Sequence, residues 1–217
     1  MFTGIVTDLG TVTALESAPG GARLHVRGRL PYDVALGDSI AVDGVCVTVA
    51  TLTAVDGSAQ EHGRDAVVEF AADLMPATLG RTTVGQREPG DRVNLEPALA
   101  ANGRFGGHVV TGHIDAVGTV VGRTAGDLAD RVTIDVPAHL ARYVVPQGSI
   151  AIDGVSLTVA ELADTGDGCL VTVGLIPATL EATTLGHRTP PDRVNLEVDV
   201  LAKQVERLLA VREAAHA

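Results

Sequence analysis

Two ten-residue stretches, AVDGVCVTVA at 41–50 and AIDGVSLTVA at 151–160, are nearly identical and decide the fold. Each places an Asp-Gly pair between two apolar runs, a strong short-range signal for a β-hairpin closed by a two-residue type I′ turn. The chain therefore carries the same hairpin twice. This recurrence indicates an internal duplication.

The hairpin pairing divides the side chains between two faces, because successive residues of a strand point to opposite sides of the sheet. One face is apolar and is expected to face the core; in the first copy it carries Ile40, Val42, Val45 and Val47. The opposite face carries small and hydrogen-bonding side chains in both copies, which favours a functional surface over an ordinary solvated strand face. Its members are Ser39, Ala41, Cys46 and Thr48 in the first copy and Ser149, Ala151, Ser156 and Thr158 in the second.

The similarity between the two halves extends beyond the hairpins. TGIVTDLGTV at 3–12 resembles TGHIDAVGTV at 111–120, and DRVNLE occurs at 91–96 and again at 192–197. A repeat of this length predicts two tandem copies of one domain rather than a solenoid of short units. We expect the first copy to span 1–107, the second 108–199 and a C-terminal helical segment 200–217.

Composition and turn spacing predict that each copy is a closed antiparallel barrel, which leaves no exposed strand edge. Of the 217 residues 46% are hydrophobic, 2% are aromatic and 25 are glycine, which is typical of many short strands joined by tight turns. We expect strands in the first copy near 2–7, 10–16, 23–27, 38–42, 45–55 and 66–72, with 91–96 closing the barrel and the same plan in the second copy. Helical turns are expected near 31–36, 76–79, 137–143 and 177–180, and polar loops at 56–64 and 165–168.

The chain changes character after the second DRVNLE. Asp199 can cap a helix that has one narrow apolar stripe. The stripe carries Leu201, Val205, Leu208 and Leu209. Because it follows the last barrel, it could pack on its own barrel or on the same helix of other subunits.

Charge, the length of apolar runs and cysteine content narrow the expected partners and compartment. The formal net charge is −11 and no segment forms a basic stripe, which argues against a nucleic-acid partner. No apolar run approaches membrane-spanning length, and the N-terminus lacks the pattern of a signal peptide. Two cysteines, Cys46 and Cys169, cannot form a disulfide framework. We therefore expect a protein of a reducing compartment, the cytoplasm.

The two copies differ at matched positions, and these differences indicate where their functions diverge. One hairpin has Cys46 where the other has Ser156, and the opening segments have Ile5 and His113 at the same place. A thiol on the hydrogen-bonding face and an imidazole can both transfer protons; the alternative is a cysteine that only packs and a histidine that only hydrogen-bonds. His108 would point away from His113 on an extended strand, so the two do not form a metal pair.

Motifs spread over nearly the whole chain carry a family resemblance. They are MFTGIV at 1–6, DGVCVTV at 43–49, GGHVVTGHID at 106–115, DGVSLTV at 153–159, IPATL at 176–180, TTLG at 183–186 and VNLEVD at 194–199. Together they resemble the riboflavin synthase family. The resemblance implies an all-β fold of two tandem six-stranded Greek-key barrels with a C-terminal α-helix. It also implies a homotrimer held by that helix, in which the first barrel of one subunit meets the second barrel of its neighbour.

The activity implied by the resemblance is a transfer between two identical substrate molecules. Each barrel would bind one 6,7-dimethyl-8-ribityllumazine, and one molecule would give a four-carbon unit to the other. The products would be riboflavin and 5-amino-6-ribitylaminouracil, formed without a metal or organic cofactor. The reaction would start with loss of a proton from the 7-methyl group, and stacking of the two rings would supply a high effective molarity. An association with lumazine synthase stays open.

The resemblance also implies which residues form the site. The reaction centre would include Phe2, Ser39, Cys46, Thr48, His113, Ser156, Thr158 and Asp199. The first-barrel pocket would be formed by Gly4, Ile5, Val6, Cys46, Val47, Thr48, Asp73, Leu74, Met75, Pro76, Ala77 and Thr78. The second-barrel pocket would be formed by Gly112, His113, Ile114, Gln147, Ser156, Leu157, Thr158, Ile176, Pro177, Ala178, Thr179, Leu180 and Glu181.

The chain departs from the family pattern at several positions. Lysine, asparagine, glutamate and arginine are replaced by Gln147, Asp43, Ala77 and Pro97, respectively. The missing lysine favours an alternative function, that of a non-catalytic lumazine or flavin carrier of the lumazine-protein type. The retained Cys46, His113, Ser156 and Thr158 favour the enzyme. A structural trimer without a ligand is a third alternative, against which the repeated hydroxyl faces argue.

Overall fold

The two Asp-Gly hairpins fold with the predicted turns and pairing. The structure, a computed structural model, describes residues 1–31, 34–55 and 66–214. Asp43 and Gly44 have φ values of 46° and 79°, and Asp153 and Gly154 have 45° and 79°. Positive φ at both central residues defines the type I′ turn. The strand pairing is also as expected, with Cys46 opposite an alanine in the first hairpin and Ser156 opposite one in the second.

Each half of the chain forms a closed six-stranded antiparallel barrel, which confirms the predicted duplication. The first consists of β1 (Asp8–Ala18), β2 (Gly21–Leu30), β3 (Ser39–Val42), β4 (Val45–Ala54), β5 (Ala66–Leu74) and β6 (Arg92–Pro97). The second consists of β7 (Ala116–Thr124), β8 (Asp130–Pro137), β9 (Ser149–Ile152), β10 (Val155–Thr165), β11 (Gly168–Leu175) and β12 (Arg193–Val198). The strand orders around the barrels are β1-β2-β5-β4-β3-β6 and β10-β11-β8-β7-β12-β9, which are the same circuit in both copies.

The interior of each barrel is filled by the apolar face of its hairpin together with the inward residues of the other strands. Ile40, Val42, Val45 and Val47 all belong to the core of the first barrel, as predicted. Their counterparts Ile150, Ile152, Val155 and Leu157 belong to the core of the second. Cys46 lies outside both of these cores, on the opposite face.

The predicted strand at 2–7 is wrong. Phe2 forms one isolated bridge with Val110, but the residues that follow it are not paired in a ladder. Gly4 has a φ of 75°, which interrupts an extended strand. The backbone N–H groups of Thr3 and Gly4 donate instead to the carboxylate of Glu96, at 2.6 and 2.9 Å. A carboxylate therefore takes the place of a neighbouring strand here.

Three of the four predicted helical turns are present. They are α1 (Pro76–Arg81), α2 (Ala138–Ala141) and α3 (Pro177–Ala182), and α1 and α3 begin with proline, as the first helical position tolerates. The turn expected at 31–36 is not a helix in its described residues; Val34 N–H donates to the Pro31 carbonyl at 3.1 Å and no further helical turn follows there. The loop expected at 56–64 lies outside the described residues, and residues 165–168 form the tight β10–β11 connection.

The C-terminal helix α4 (Val200–Ala214) begins where the cap was predicted. The Asp199 side chain accepts the Leu201 N–H at 2.9 Å, and Lys203 ties the helix to Asp115 of the second barrel at 2.9 Å. Its apolar stripe does not pack on its own barrel, because all four side chains are more than half exposed, Leu208 by 70%. In the parts of the chain that the structure describes, no helix is both long and apolar enough to cross a membrane.

Candidate functional site at the barrel junction

Two short segments, one before each barrel, are held by equivalent glutamates. We call residues 3–6 the first strap and residues 111–114 the second strap. Glu197 accepts the N–H groups of Thr111 and Gly112 at 2.7 and 2.9 Å, as Glu96 does for the first strap. Burial raises the pKa of the Glu96 carboxyl, while the hydrogen bonds from the strap act in the opposite direction. Each strap is therefore fixed to the last strand of its own barrel.

Each strap reaches across to the hairpin of the other barrel. The Cys46 N–H donates to the carbonyl of Gly112 at 2.8 Å, and the Ser156 N–H donates to the carbonyl of Gly4 at 2.8 Å. Val6 packs against the core of the second barrel, and Ile114 packs against the core of the first. The barrels therefore exchange their straps.

This exchange corrects the expected grouping of pocket residues. Gly4, Ile5 and Val6 were expected in the first-barrel pocket, but their strap lies against the second hairpin. Gly112, His113 and Ile114 were expected in the second-barrel pocket, but they line a pocket of the first barrel. The sequence repeat assigned each segment to the barrel that follows it in the chain, whereas docking places it on the other barrel.

The straps contact the hairpins so closely that only glycine fits. A Cβ atom at Gly112, where φ is 78°, would lie 2.5 Å from Cys46 Cβ and 2.9 Å from its nitrogen. A Cβ atom at Gly4, where φ is 75°, would lie 2.6 Å from Ser156 Cβ and 2.7 Å from its nitrogen. Real Cβ atoms do not approach other atoms this closely. These two glycines therefore have a packing role as well as a conformational one.

The exchange creates a pocket of about 190 Å³ beside Cys46, which we call the first slot. Cys46, Thr78 and His113 all line it, so the slot brings residues of both copies together. Cys46 is half-buried, and His113 is exposed. The complete lining is Val45, Cys46, Ala77, Thr78, Arg81, Thr82, Gly112, His113 and Ile114.

The matching surface around Ser156 and the first strap is called the second slot here. It has Ile5 where the first slot has His113, because the straps are exchanged. The Ser156 hydroxyl lies 2.7 Å from Nδ1 of His108, a residue of the segment between the barrels. The two slots thus each have an imidazole nearby, but from positions that are not equivalent.

Comparison with known proteins decides the family of this chain. The model of the lumazine binding domain matches twice, at residues 3–98 and 111–199. A riboflavin synthase of Mycobacterium tuberculosis (strain ATCC 25618 / H37Rv) is 49% identical over 211 residues, covering 96% of this chain and 98% of that protein. The chain belongs to the riboflavin synthase family. Another member, the riboflavin synthase of Bacillus subtilis (strain 168), is 36% identical over 210 residues, covering 96% of this chain and 90% of that protein.

Solved structures with the same architecture include LumP, which carries a different name from the riboflavin synthases. LumP complexed with 6,7-dimethyl-8-(1'-D-ribityl) lumazine has a TM-score of 0.70 and 27% sequence identity, covering 91% of this chain and 99% of that one. LumP complexed with riboflavin has a TM-score of 0.71 at 26% identity over the same shares. The double-barrel fold is therefore shared by proteins that bind both compounds.

Among the residues that the riboflavin synthase family resemblance singled out, several lie away from a slot. Phe2 is fully buried between the barrels with Ala41, Ala151 and Val110, so it supports Gly112 and Cys46 from behind. Part of the face predicted to be polar is therefore the barrel interface. Four further side chains are otherwise engaged: Val47, Leu74 and Leu157 in the cores, and Asp73 in an ion pair with Arg23 at 2.7 Å.

The remaining predicted site residues lie at a separate cavity, at the protein surface, or on strands and helices near the slots. Ser39 borders a separate cavity of about 680 Å³ with Ile5, Asp38 and Arg104. Gln147 is exposed with a φ of 62°. The other predicted site residues are solvent-facing or half-buried and lie on β4, on β10, or on α1 and α3 with the residue that precedes each helix: Thr48, Met75, Pro76, Ala77, Thr78, Thr158, Ile176, Pro177, Ala178, Thr179, Leu180 and Glu181.

A buried polar seam joins the two turns, and sequence reasoning missed it. Arg87 donates to Asp43 at 2.7 Å, and Arg188 donates to Asp153 at 2.9 Å, with both carboxylates fully buried. Burial and the negative charge of Asp153 raise the pKa of Asp43 to about 6, although Arg87 acts in the opposite direction. The available signal was that an arginine precedes each DRVNLE motif by the same short interval. That each arginine pairs with a buried aspartate of a turn becomes evident only once the two barrels are docked.

Proposed function

We propose that this chain is a riboflavin synthase that converts two molecules of 6,7-dimethyl-8-ribityllumazine into riboflavin and 5-amino-6-ribitylaminouracil. One lumazine occupies each barrel, and a four-carbon unit passes from one ring to the other. Membership of the family and the near-complete overlap with its bacterial members support the assignment. In this proposal the chain divides after residues 107 and 199, as predicted from the sequence, into two ligand-binding units and a helix.

The observation that carries the proposal is the first slot. It places a thiol, a hydroxyl and an imidazole around one cavity, together with the backbone of the second strap. A pteridine edge alternates hydrogen-bond donors and acceptors, which backbone groups and small hydroxyls can match at roughly 1 kcal/mol for each bond. These groups can hydrogen-bond a heterocycle, and Arg81 adds a guanidinium to the same lining.

The proton chemistry falls to His113 and Cys46 in this proposal. The substrate must lose a proton from its 7-methyl group before the carbon can attack the second ring. An imidazole at the exposed rim of the slot can accept that proton, and the thiol deeper in the slot can donate a hydrogen bond or return a proton. Ser39, Thr48, Ser156, Thr158 and Asp199 are proposed to orient the two rings and their ribityl chains.

A second subunit completes the site in this proposal. The first slot measures about 190 Å³, below the 300 to 1,000 Å³ of ordinary ligand pockets, so part of a bound lumazine would stay uncovered in one chain. We propose that the second slot of a neighbour covers it within a homotrimer. The apolar stripe of α4 would join the subunits; three of its side chains, Leu201, Val205 and Leu209, border a groove of about 660 Å³ with Arg142 and Tyr143. The cytoplasm is the proposed compartment.

The deciding experiment is incubation of the purified chain with 6,7-dimethyl-8-ribityllumazine alone. We expect riboflavin to appear, seen by its green fluorescence, with one equivalent of 5-amino-6-ribitylaminouracil by chromatography. The His113→Ala variant is the control: it should still bind the lumazine but form riboflavin much more slowly. Binding by the wild type without product would refute the enzyme.

The carrier of the lumazine-protein type is the second candidate. The observation in its favour is the shared architecture with LumP, whose structures contain the lumazine and riboflavin. Identity to LumP is 27%, against 49% to the mycobacterial riboflavin synthase, so the enzyme is the better supported assignment. A carrier would bind either compound tightly and return it unchanged.

A further inference from the structure

His108 is held firmly beside Ser156. Its Nδ1 atom lies 2.7 Å from the Ser156 hydroxyl oxygen, and its backbone N–H donates to the Thr3 carbonyl at 3.2 Å. Gly107, just before it, is packed so tightly that a Cβ atom would collide with the same Thr3 carbonyl and lie 3.0 Å from Ser156 Oγ. The imidazole is thus fixed by the backbone on one side and by the serine on the other.

Because the straps are exchanged, the second slot receives no imidazole from the strap that contacts it. His113 precedes the second barrel in the chain, yet it lines the slot of the first barrel beside Cys46. Its counterpart Ile5 lies on the strap that contacts Ser156, and an isoleucine offers no hydrogen bond. His108, which precedes the matched stretch at 111–120, supplies a ring nitrogen that the duplication did not place there.

We propose that His108 is the positioning residue of the second slot, holding the Ser156 hydroxyl in one orientation so that Ser156 presents a defined donor or acceptor to the lumazine. The proposal rests on the proposed function, because it assumes that the second slot binds a substrate molecule. His108 itself acts through Ser156. Free rotation of the hydroxyl would otherwise let its proton point in several directions.

The surroundings of the ring favour an orienting role over that of a charge. Burial lowers the pKa of His108, although the negative charges of Asp199 and Glu197 act in the opposite direction. A neutral imidazole does not place a cation next to the ligand. Its Nε2 atom is buried and has no hydrogen-bond partner among the residues that the structure describes, so the hydrogen bond of the imidazole is the one between Nδ1 and Ser156.

The test is a double-mutant cycle that combines His108→Ala with Ser156→Ala, measured as kcat/KM for riboflavin formation. If His108 acts through Ser156, each single variant should lose about tenfold and the double variant should lose no more than about tenfold. A loss of about a hundredfold in the double variant would mean independent roles and would overturn the proposal. His187→Ala, which removes an exposed histidine, is the control and should keep wild-type activity.

Two substitutions at the same position separate positioning from packing. The side-chain amide of asparagine places its oxygen and nitrogen at the bond distance of Nδ1, whereas glutamine places them one bond farther along. We expect His108→Asn to recover kcat/KM to within about threefold of wild type and His108→Gln to stay near the alanine variant. Equal activity of the two amide variants, with equal thermal stability, would refute the role of Nδ1.

The same double-mutant cycle can be measured through ligand binding instead of riboflavin formation. If the wild type forms no riboflavin, the proposed function has failed, and the dissociation constant of 6,7-dimethyl-8-ribityllumazine then replaces kcat/KM as the quantity compared. Coupling between His108 and Ser156 in lumazine binding would keep the inference in a carrier protein. Independent effects on binding would reject it there as well.

Discussion

The two barrels share their scaffold and differ in their slots. The seam between them is built from matched pairs: Asn94 donates to the Asp153 carbonyl at 2.8 Å, and Asn195 donates to the Asp43 carbonyl at 2.9 Å. The slots carry Cys46 with His113 in one barrel and Ser156 with His108 in the other. The two copies are alike in the seam, where buried polar groups of one copy need hydrogen-bond partners in the other.

The energetic reason for this division is the cost of an unpaired buried group. Leaving a buried donor or acceptor without a partner costs about 1 to 3 kcal/mol, and more for a charge. Each asparagine of the seam also accepts a backbone N–H of the other copy, from Thr184 at 2.7 Å and from Thr83 at 2.8 Å. A change on one side of the seam would strand a group on the other. The slots face solvent or a ligand, so their residues can diverge without that penalty.

The largest effect expected is on the contact between strap and hairpin. Gly112→Ala should lower the free energy of unfolding by about 3 kcal/mol or more, because it combines a positive φ with a collision against the Cys46 backbone. Gly4→Ala should cost the same if the two straps are equivalent. Urea unfolding of both variants measures this.

Gly20→Ala is the matched control for these glycines. Gly20 has a φ of 84°, but no described atom lies within 4 Å of the position where its Cβ would be. Its loss should be about 1 kcal/mol, the cost of the backbone conformation alone. A loss at Gly112 as small as that at Gly20 would show that the strap is not pressed against the hairpin.

The next effect concerns the imidazole of the first slot. His113→Ala should reduce kcat about 100-fold while changing lumazine affinity less than threefold, because proton transfer is lost and the ring contacts stay. His139→Ala, which removes an exposed histidine of α2, is the control. Steady-state kinetics together with a fluorescence titration of the lumazine separate the two quantities. Equal losses in turnover and affinity would make His113 a wall of the pocket.

The pH dependence of stability tests the seam. The pKa of Asp43 is about 6 in the folded chain, above the ordinary 3.8, so the folded state binds a proton that the unfolded state does not. Relative to Asp43→Asn, the wild type should therefore gain stability as the pH falls from 7 to 4. The gain should be about 1 kcal/mol for each pH unit between about pH 6 and pH 4, where the folded state holds most of this proton and the unfolded state little of it, and it should be much smaller between pH 7 and pH 6.

Urea unfolding at several pH values checks this expectation. Asp73→Asn is the control, because Arg23 lowers the pKa of that exposed carboxyl, and the wild type should gain nothing over it as the pH falls. A flat difference between wild type and Asp43→Asn would contradict the assignment of the raised pKa to Asp43.

The smallest effect expected is from making the two hairpins alike. Cys46→Ser gives the first hairpin the hydroxyl of the second and should lower kcat about tenfold, since a hydroxyl transfers a proton less readily than a thiol. Lumazine affinity should change less than threefold. Ser156→Cys is the reciprocal variant. Unchanged turnover in Cys46→Ser would mean that the slots differ only in the imidazole.

The residues of the first slot could be predicted in part. Cys46 was placed on the non-core face by strand alternation alone, and the structure confirms that face. The partner of Cys46 was not predictable, because Gly112 lies far along the chain and its strap could have docked on either barrel. Phe2 was singled out by family resemblance, and its buried place between the barrels is a feature of docking.

The sequence by itself determined the duplication, the two type I′ turns, the core and non-core faces of each hairpin and the start of α4. The turns, the faces and the helix start depend on side-chain alternation and on hydrogen bonds among residues close in the chain, so a short stretch encodes each of them, and the duplication shows as the recurrence of such stretches. Only the tertiary structure decided the exchange of straps, the buried seam of Asp43 and Asp153, and the contact of His108 with Ser156. Those contacts join segments that are far apart in the chain, and they exist only once two finished barrels dock in one orientation.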